Sequence, residues 1–214
     1  MAITHISFDL DGTLITLAGM EFKLWYDVVP TLYSKKHNIS FSEAYAHCRR
    51  EYDKVSLKNI IFYDPPRWFK EFGLEQDSRE IINNLSSSKE LVYPDVAPTL
   101  ELLQQKYKLV LFTNTDRSGM EIKLKSTGLG KYFSEQISAV SDIGFVKTDP
   151  QAYEKLVEKL GIQKENLVHV GDYVHHDYEP ARSVGVKSIL IDRDGAFDDT
   201  YDKILTLGDV EKFL

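Results

Sequence analysis

The sequence predicts an α/β fold, a doubly wound parallel sheet carrying a second, α-helical domain, on three observations. Short apolar runs alternate with stretches of helical period. Carboxylate and hydroxyl residues recur where those runs end. One long segment after the first run reads as helical throughout.

The first run, Ile3 to Phe8, reads as a buried strand that ends at Asp9. Lys108 to Phe112, Gln136 to Val140, Leu167 to Val170 and Lys187 to Ile191 have the same character. Between them, Val96 to Lys106 places Val96, Leu100 and Leu103 on one helical face, and Pro150 to Leu160 carries Tyr153, Leu156, Val157 and Leu160 at spacings of three and four. Asp149 suits the N-cap of that second helix, Pro150 its first turn and Gly161 its stop. Strands alternating with helices imply right-handed crossovers and a parallel sheet covered on both faces.

Residues 16–90 break this alternation. Helical patterns run over Phe22 to Lys36, Ser42 to Val55, Pro66 to Phe72 and Ser78 to Leu85, with breaks at Asn38-Ile39-Ser40, Asp64-Pro65-Pro66 and Gly73. The division expected is therefore a core of residues 1–15 and 91–214 with a helical cap of residues 16–90, and Ser86-Ser87-Ser88 reads as the linker back. The insert has 11 basic and 11 acidic residues against 15 and 22 elsewhere, so the whole net charge of −7 sits on the α/β part. Trp25, Tyr26 and Tyr33 fall at helical spacings and are expected to pack the interior of the cap.

The totals exclude several classes. A net charge of −7 argues against nucleic acid as the main partner, because binders of phosphate backbones present basic surfaces. Cys48 is the single cysteine, so neither an intramolecular disulfide nor a thiolate zinc cluster is available. No apolar stretch approaches the roughly 20 residues of a membrane helix, and the N-terminus has no signal-peptide pattern. The expectation is a cytoplasmic protein with no membrane partner; oligomeric state is open.

In an open parallel sheet, ligands collect beyond the carboxyl ends of the strands. The residues there are Asp9 and Asp11 after the first strand, Thr113 and Asn114 after the second, Lys147 beyond the third, and Asp172 with Asp177 after the fourth. Crowded carboxylates need protons or a cation, and magnesium suits oxygen-only ligands. With one lysine, such a set matches phosphoryl transfer, where catalysis is positioning and electrostatics. A carboxylate can act as nucleophile and a second as general acid and base.

The motif Phe8-Asp9-Leu10-Asp11-Gly12-Thr13-Leu14 resembles the first motif of the haloacid dehalogenase (HAD) superfamily. Phe112-Thr113-Asn114 resembles the second, and Lys147 in Val146-Lys147-Thr148-Asp149-Pro150 the third, with Thr148 in place of the usual proline. Val170-Gly171-Asp172 through Asp177 resembles the fourth. The resemblance spans essentially the whole chain and implies a Rossmann-like core with the helical cap of the subclass whose insert follows motif one. By that resemblance Asp9 is the nucleophile and a magnesium ligand. Asp11 binds the metal through its carbonyl and serves as general acid and base. Thr113 and the Asn114 amide hold the phosphoryl oxygens, Lys147 neutralises Asp9 and the phosphoryl group, and Asp172 and Asp177 serve the metal. Gly12 and Gly171 supply loop conformations that a side chain would hinder.

Asp11 discriminates within the superfamily: its dehalogenases lack an aspartate two positions after the nucleophile, and its phosphonate-cleaving members have a small residue there. The expected activity is a magnesium-dependent phosphatase acting on a small phosphorylated metabolite through an aspartyl-phosphate. A phosphomutase or phosphotransferase shares that intermediate, and a receiver-like signalling domain or a silent binding protein is the reading from another class. Arg67, after the double proline, is a candidate contact for an anionic part of the substrate. His169 reads as a satisfied core histidine, and His175-His176 as loop residues rather than a metal pair.

Overall fold

Parallel pairing dominates the computed structural model of the protein, which describes residues 2–16, 21–85 and 92–214. Among the described residues, strands β1 (His5–Phe8), β2 (Lys108–Thr113), β3 (Glu135–Ser138), β4 (Leu167–Gly171), β5 (Lys187–Ile191) and β6 (Lys203–Ile204) form one sheet in the order β3-β2-β1-β4-β5-β6. Every pair in it is parallel. The helices are α1 (Glu21–Lys23, continuing through a π turn at Leu24–Val28 into Val29–His37), α2 (Phe41–Asp53), α3 (Pro65–Glu71), α4 (Ser78–Leu85), α5 (Val96–Leu103), α6 (Arg117–Thr127), α7 (Pro150–Leu160) and α8 (Glu179–Ser183).

Alternation along the strands builds two cores. Ile6, Phe8, Leu109, Leu111, Val168 and Val170 bury one face of the sheet together with Val96, Leu100 and Leu103 of α5. Val110, Phe112 and Leu167 bury the other against Ala152, Tyr153 and Leu156 of α7. Side chains of this size contribute about 1.5–3 kcal/mol each when fully buried, which is why both faces hold apolar layers. The α7 signals act as read: Asp149 accepts from the Gln151 N–H at 3.0 Å, Pro150 opens the helix, and Gly161 ends it.

Strand order reverses at β1, which lies between β2 and β4 with Phe8 opposite Leu111 and Val170. The carboxyl ends of these three strands therefore open side by side into one crevice. The insert leaves beyond Ile15 and the chain is back at Val92, where the two residues form an antiparallel bridge. Arg193 clamps this crossing: it donates to the Thr13 carbonyl at 2.7 Å, pairs with Asp95 at 3.0 Å and lies 3.7 Å over the Tyr93 ring.

Two elements differ from the sequence reading. The third strand ends at Ser138, because the Ser138 hydroxyl accepts from the Ser141 N–H and starts a π turn over Ala139–Ile143. The two-residue β6 is too short to show a period. As read, Tyr33 packs inside the helical segment, stacked on His47 at 4.7 Å, Trp25 meets Tyr52 edge-on at 5.6 Å and Tyr26 meets Tyr45 at 6.2 Å; Trp25 and Tyr26 also line a cavity. The linker read at Ser86-Ser87-Ser88 lies outside the described residues.

Candidate active site

The short turn after β1 sets the first two carboxylates. The Asp9 N–H donates to the Val170 carbonyl at 2.9 Å, so Asp9 is held at the β4 side of the crevice. Its side chain meets the Lys147 ammonium at 2.5 Å, and the same Nζ reaches Asp177 Oδ1 at 2.5 Å. Lys147 is 1% exposed and Asp9 7%, so this pairing takes place away from bulk water. The loop carrying Lys147 is anchored by its own N–H, which donates to the Asn114 side-chain oxygen at 2.9 Å.

Asp172 stands beside Asp9 and accepts from the Thr13 hydroxyl at 3.1 Å. Asp177 lies in the π turn Val174–Tyr178 that precedes α8; its second oxygen accepts from the Tyr173 N–H at 3.0 Å. His169 Nε2 sits 3.0 Å from Asp177, and its Nδ1 2.8 Å from the Ser7 hydroxyl. His169 is thus satisfied in the core and also braces Asp177.

Close approach explains both glycines. At Gly12, φ is +85°, and a Cβ would run into the Asp172 carboxylate. Gly171 does not have a left-handed φ, contrary to the reading that it supplies an unusual conformation. It is required by space alone, since a Cβ there would overlap the Asp177 carboxylate.

One ammonium cannot neutralise three clustered carboxylates, two of them buried and Asp172 half-buried. Burial opposes the charge on Lys147, but Asp177 and Asp9 outweigh it and hold its pKa above the ordinary lysine value. Asp177 stays ionised despite burial because Lys147 and His169 hold its pKa below the usual carboxylate range. Asp9 is pushed well above that range by burial, with repulsion from Asp177 and Asp172 adding to it against the attraction of Lys147. Asp172 is pushed up to about 7, by burial first and the Asp177 charge second. An oxygen from each of Asp9, Asp172 and Asp177 lies within 4.8 Å of the others. An oxygen-only set with excess negative charge fits a hard divalent cation of the magnesium type.

Asp11 faces another way. Its carboxylate is gripped by Lys123 of α6 at 2.7 and 2.8 Å and by the Thr115 hydroxyl at 2.8 Å. Lys123 is a buried lysine that the sequence reading passed over. Its signal was present: Met120, Lys123 and Leu124 share the spacing of a buried helix face, so a lysine stood where an apolar residue is expected.

Asp9, Asp11, Thr113, Asn114, Lys147, Asp172 and Asp177 all line one cavity of about 500 Å³. Thr113 and Asn114 are buried at the end of β2, and the Thr113 hydroxyl accepts from the Thr115 N–H at 3.2 Å. Arg67 is not brought there: it is exposed, while Pro65 and Trp68 of the same helix line the cavity. Asp64 caps α3 by accepting from the Arg67 N–H, and that first turn leaves the Arg67 side chain on the outer surface. His176 lines the cavity, with burial lowering its pKa to about 4, while His175 is exposed and pairs with Glu179 at 2.7 Å. Cys48 is fully buried, and burial pushes its thiol up to about 11. No described helix is long and apolar enough to cross a membrane.

Comparison with known proteins places this geometry. The model of the haloacid dehalogenase-like hydrolases matches residues 3–185. A GMP/IMP nucleotidase of Escherichia coli is 25% identical over 171 residues, covering 79% of this chain and 74% of that protein. A pyrophosphatase of Bacillus mycoides is 26% identical over 195 residues, covering 89% and 84%. Among solved structures, a HAD phosphatase from Thermococcus onnurineus has a TM-score of 0.86 at 30% identity, over 99% of this chain and 97% of that one. A 2-haloacid dehalogenase from Pseudomonas syringae, at 20% identity and a TM-score of 0.71, shares the fold. The chain belongs to the haloacid dehalogenase-like hydrolases, as a hydrolytic enzyme of that family.

Proposed function

We propose that the protein is a magnesium-dependent phosphomonoesterase that cleaves a small phosphorylated metabolite through an aspartyl-phosphate on Asp9. The observation that carries this is the buried Asp9 carboxylate at the end of β1, 2.5 Å from Lys147 and clustered with Asp172 and Asp177. The relatives named for nucleotides and for pyrophosphate support phosphorus as the centre attacked.

In this reading an Asp9 oxygen forms a bond to phosphorus as the bond to the leaving oxygen breaks. Asp11 gives that oxygen its proton. Asp11 then takes a proton from water as the water attacks the aspartyl-phosphate, which releases phosphate and restores the Asp9 carboxylate. Lys147, Thr113 and the Asn114 N–H hold the phosphoryl oxygens, and Lys147 stays charged between Asp9 and Asp177. Asp9, Asp172 and Asp177 would hold the magnesium, which supplies charge neutralisation for Asp9 and the phosphoryl group when bound. The division into a core of residues 1–15 and 91–214 and a cap of residues 16–90 belongs to this proposal, with the helical segment excluding water from the crevice during turnover.

The test is phosphate release from para-nitrophenyl phosphate with and without magnesium, in wild type and in Asp9→Asn. Release that depends on both supports the reading. Release that survives Asp9→Asn, or none at all, refutes it.

A further inference from the structure

We infer that the cavity selects phosphomonoesters whose leaving group is an uncharged aromatic ring system. This rests on the phosphohydrolase reading above and names its substrate class. Besides the carboxylates, Lys147 and the polar Tyr63 and His176, the cavity is lined by Phe22, Trp25, Tyr26, Leu57, Phe62 and Trp68. The volume of about 500 Å³ falls within the range of small-molecule sites.

These rings are braced against one another. Trp25 meets the Tyr52 ring edge-on at 5.6 Å, and Tyr52 meets Trp68 edge-on at 4.9 Å. Phe22 is 59% exposed and Leu57 46%, so two large apolar side chains at the cavity wall lie open to solvent. Apolar surface gathered at a cavity, rather than scattered singly, marks a place where something apolar binds.

Charge narrows the class. Among the described residues that line the cavity, the lysines and arginines are Lys123 and Lys147 alone. Both are buried in ion pairs, Lys123 with Asp11 and Lys147 with Asp9 and Asp177. Asp116 adds a further carboxylate to the lining. A second phosphate or a carboxylate on the leaving group would meet aromatic faces, which carry negative quadrupole potential, and no additional cation among the described residues that line the cavity. A neutral aromatic ring gains stacking area in the same place. Tyr52 lines the space too, is 5% exposed, and its hydroxyl has no hydrogen-bond partner among the described residues. The polar edge of a heterocycle satisfies such a group.

The experiment measures kcat/KM for three esters, guanosine 5′-monophosphate, benzyl phosphate and glycerol 3-phosphate, and for the anhydride inorganic pyrophosphate. The first three leave as primary alcohols, so intrinsic reactivity differs little among them. The expected result is that both aromatic esters exceed glycerol 3-phosphate and pyrophosphate by about tenfold or more, and that Phe22→Ala with Leu57→Ala lowers the ratio of aromatic to glycerol ester by about tenfold. Both positions are exposed, so an unchanged Tm accompanies the change in ratio. Preference for the nucleotide over the benzyl ester identifies the ring as a base on ribose, and the reverse identifies an aryl alcohol; each supports the inference. Pyrophosphate or glycerol 3-phosphate turned over as well as the aromatic esters overturns it while leaving the phosphohydrolase reading in place. Phosphate release from none of the four overturns it, and para-nitrophenyl phosphate measured alongside decides whether the phosphohydrolase reading falls as well.

Discussion

Lys123 Nζ stands 2.7 Å from Asp11 Oδ2, a buried ion pair between helix α6 and the turn after β1. With the Thr115 hydroxyl on the same carboxylate oxygen, it holds the side chain of Asp11 outside the cluster formed by Asp9, Asp172 and Asp177. The proposed proton donor is therefore fixed by neighbours of its own. Lys123 acts here as a positioning residue.

Lys123→Met keeps the length of the side chain and removes the charge. Under the proposed function it lowers kcat by roughly 10–10²-fold, below the 10²–10⁴ expected for removing the acid and base itself with Asp11→Ala. The loss is larger for an alkyl phosphate than for para-nitrophenyl phosphate, whose leaving group needs little protonation, and Lys123→Arg restores part of it. Equal losses on both esters assign Lys123 a structural role alone.

The Asp9 environment opposes ionisation, through burial and through Asp177 and Asp172. Asp9→Asn replaces that carboxylate with a neutral group of the same shape. The expected outcome is a fall in turnover of roughly 10⁴-fold or more, because an amide is a poor nucleophile. The metal-free variant melts at or above the wild-type temperature in the same calorimetric scan. A variant that melts well below wild type shows that the Asp9–Lys147 pair, rather than repulsion, decides stability there.

The residues at the strand ends were legible because apolar runs locate the ends of strands, and a parallel sheet puts those ends on one edge. Asp9, Thr113 and Asp172 stand at such ends, whereas Lys147 lies in a loop beyond the third strand, and its role came from the resemblance to the family's motifs. Lys123 and Thr115 were not singled out, since their role depends on the packing of α6 against a turn more than 100 residues earlier in the chain. Thr13 and His169 are similar cases: each orients a carboxylate it reaches only in the folded sheet. Local pattern misled at Arg67, where the cavity wall is made by the neighbours.

Under the proposed function, magnesium affinity is expected to follow the proton on Asp172. In the metal-free protein that group keeps its proton up to about pH 7, through burial and the Asp177 charge. A cation that uses this oxygen must displace the proton, so protonation competes with binding. Below pH 7, protonation of Asp172 lowers affinity by up to about tenfold per unit, and the raised pKa of Asp9 adds to this dependence. Isothermal titration at pH 5.5, 6.5 and 7.5 checks this, together with the proton release it requires. Affinity constant over that range removes Asp172 from the ligand set.

Gly171 carries the last expectation, and its logic is steric. A Cβ at this position would overlap the Asp177 carboxylate, which is held by Lys147 at 2.5 Å and His169 at 3.0 Å. The backbone of Gly171 is not left-handed, so Gly171→Ala adds no torsional strain and acts only by displacing Asp177. Separating a buried pair costs about 3–5 kcal/mol when one partner is removed, and displacement recovers part of that, so a loss of about 2–4 kcal/mol in stability is expected. Turnover falls at least about tenfold with it, since Lys147 loses the partner that fixes it beside Asp9. Gly144→Ala is the contrast: its φ is +82° with nothing within 4 Å of a Cβ, so it adds strain of about 1 kcal/mol and leaves kcat/KM unchanged. Chemical denaturation and steady-state kinetics on the two variants separate the cases. Gly171→Ala with wild-type stability and turnover would show that Asp177 is not pinned between this backbone and Lys147.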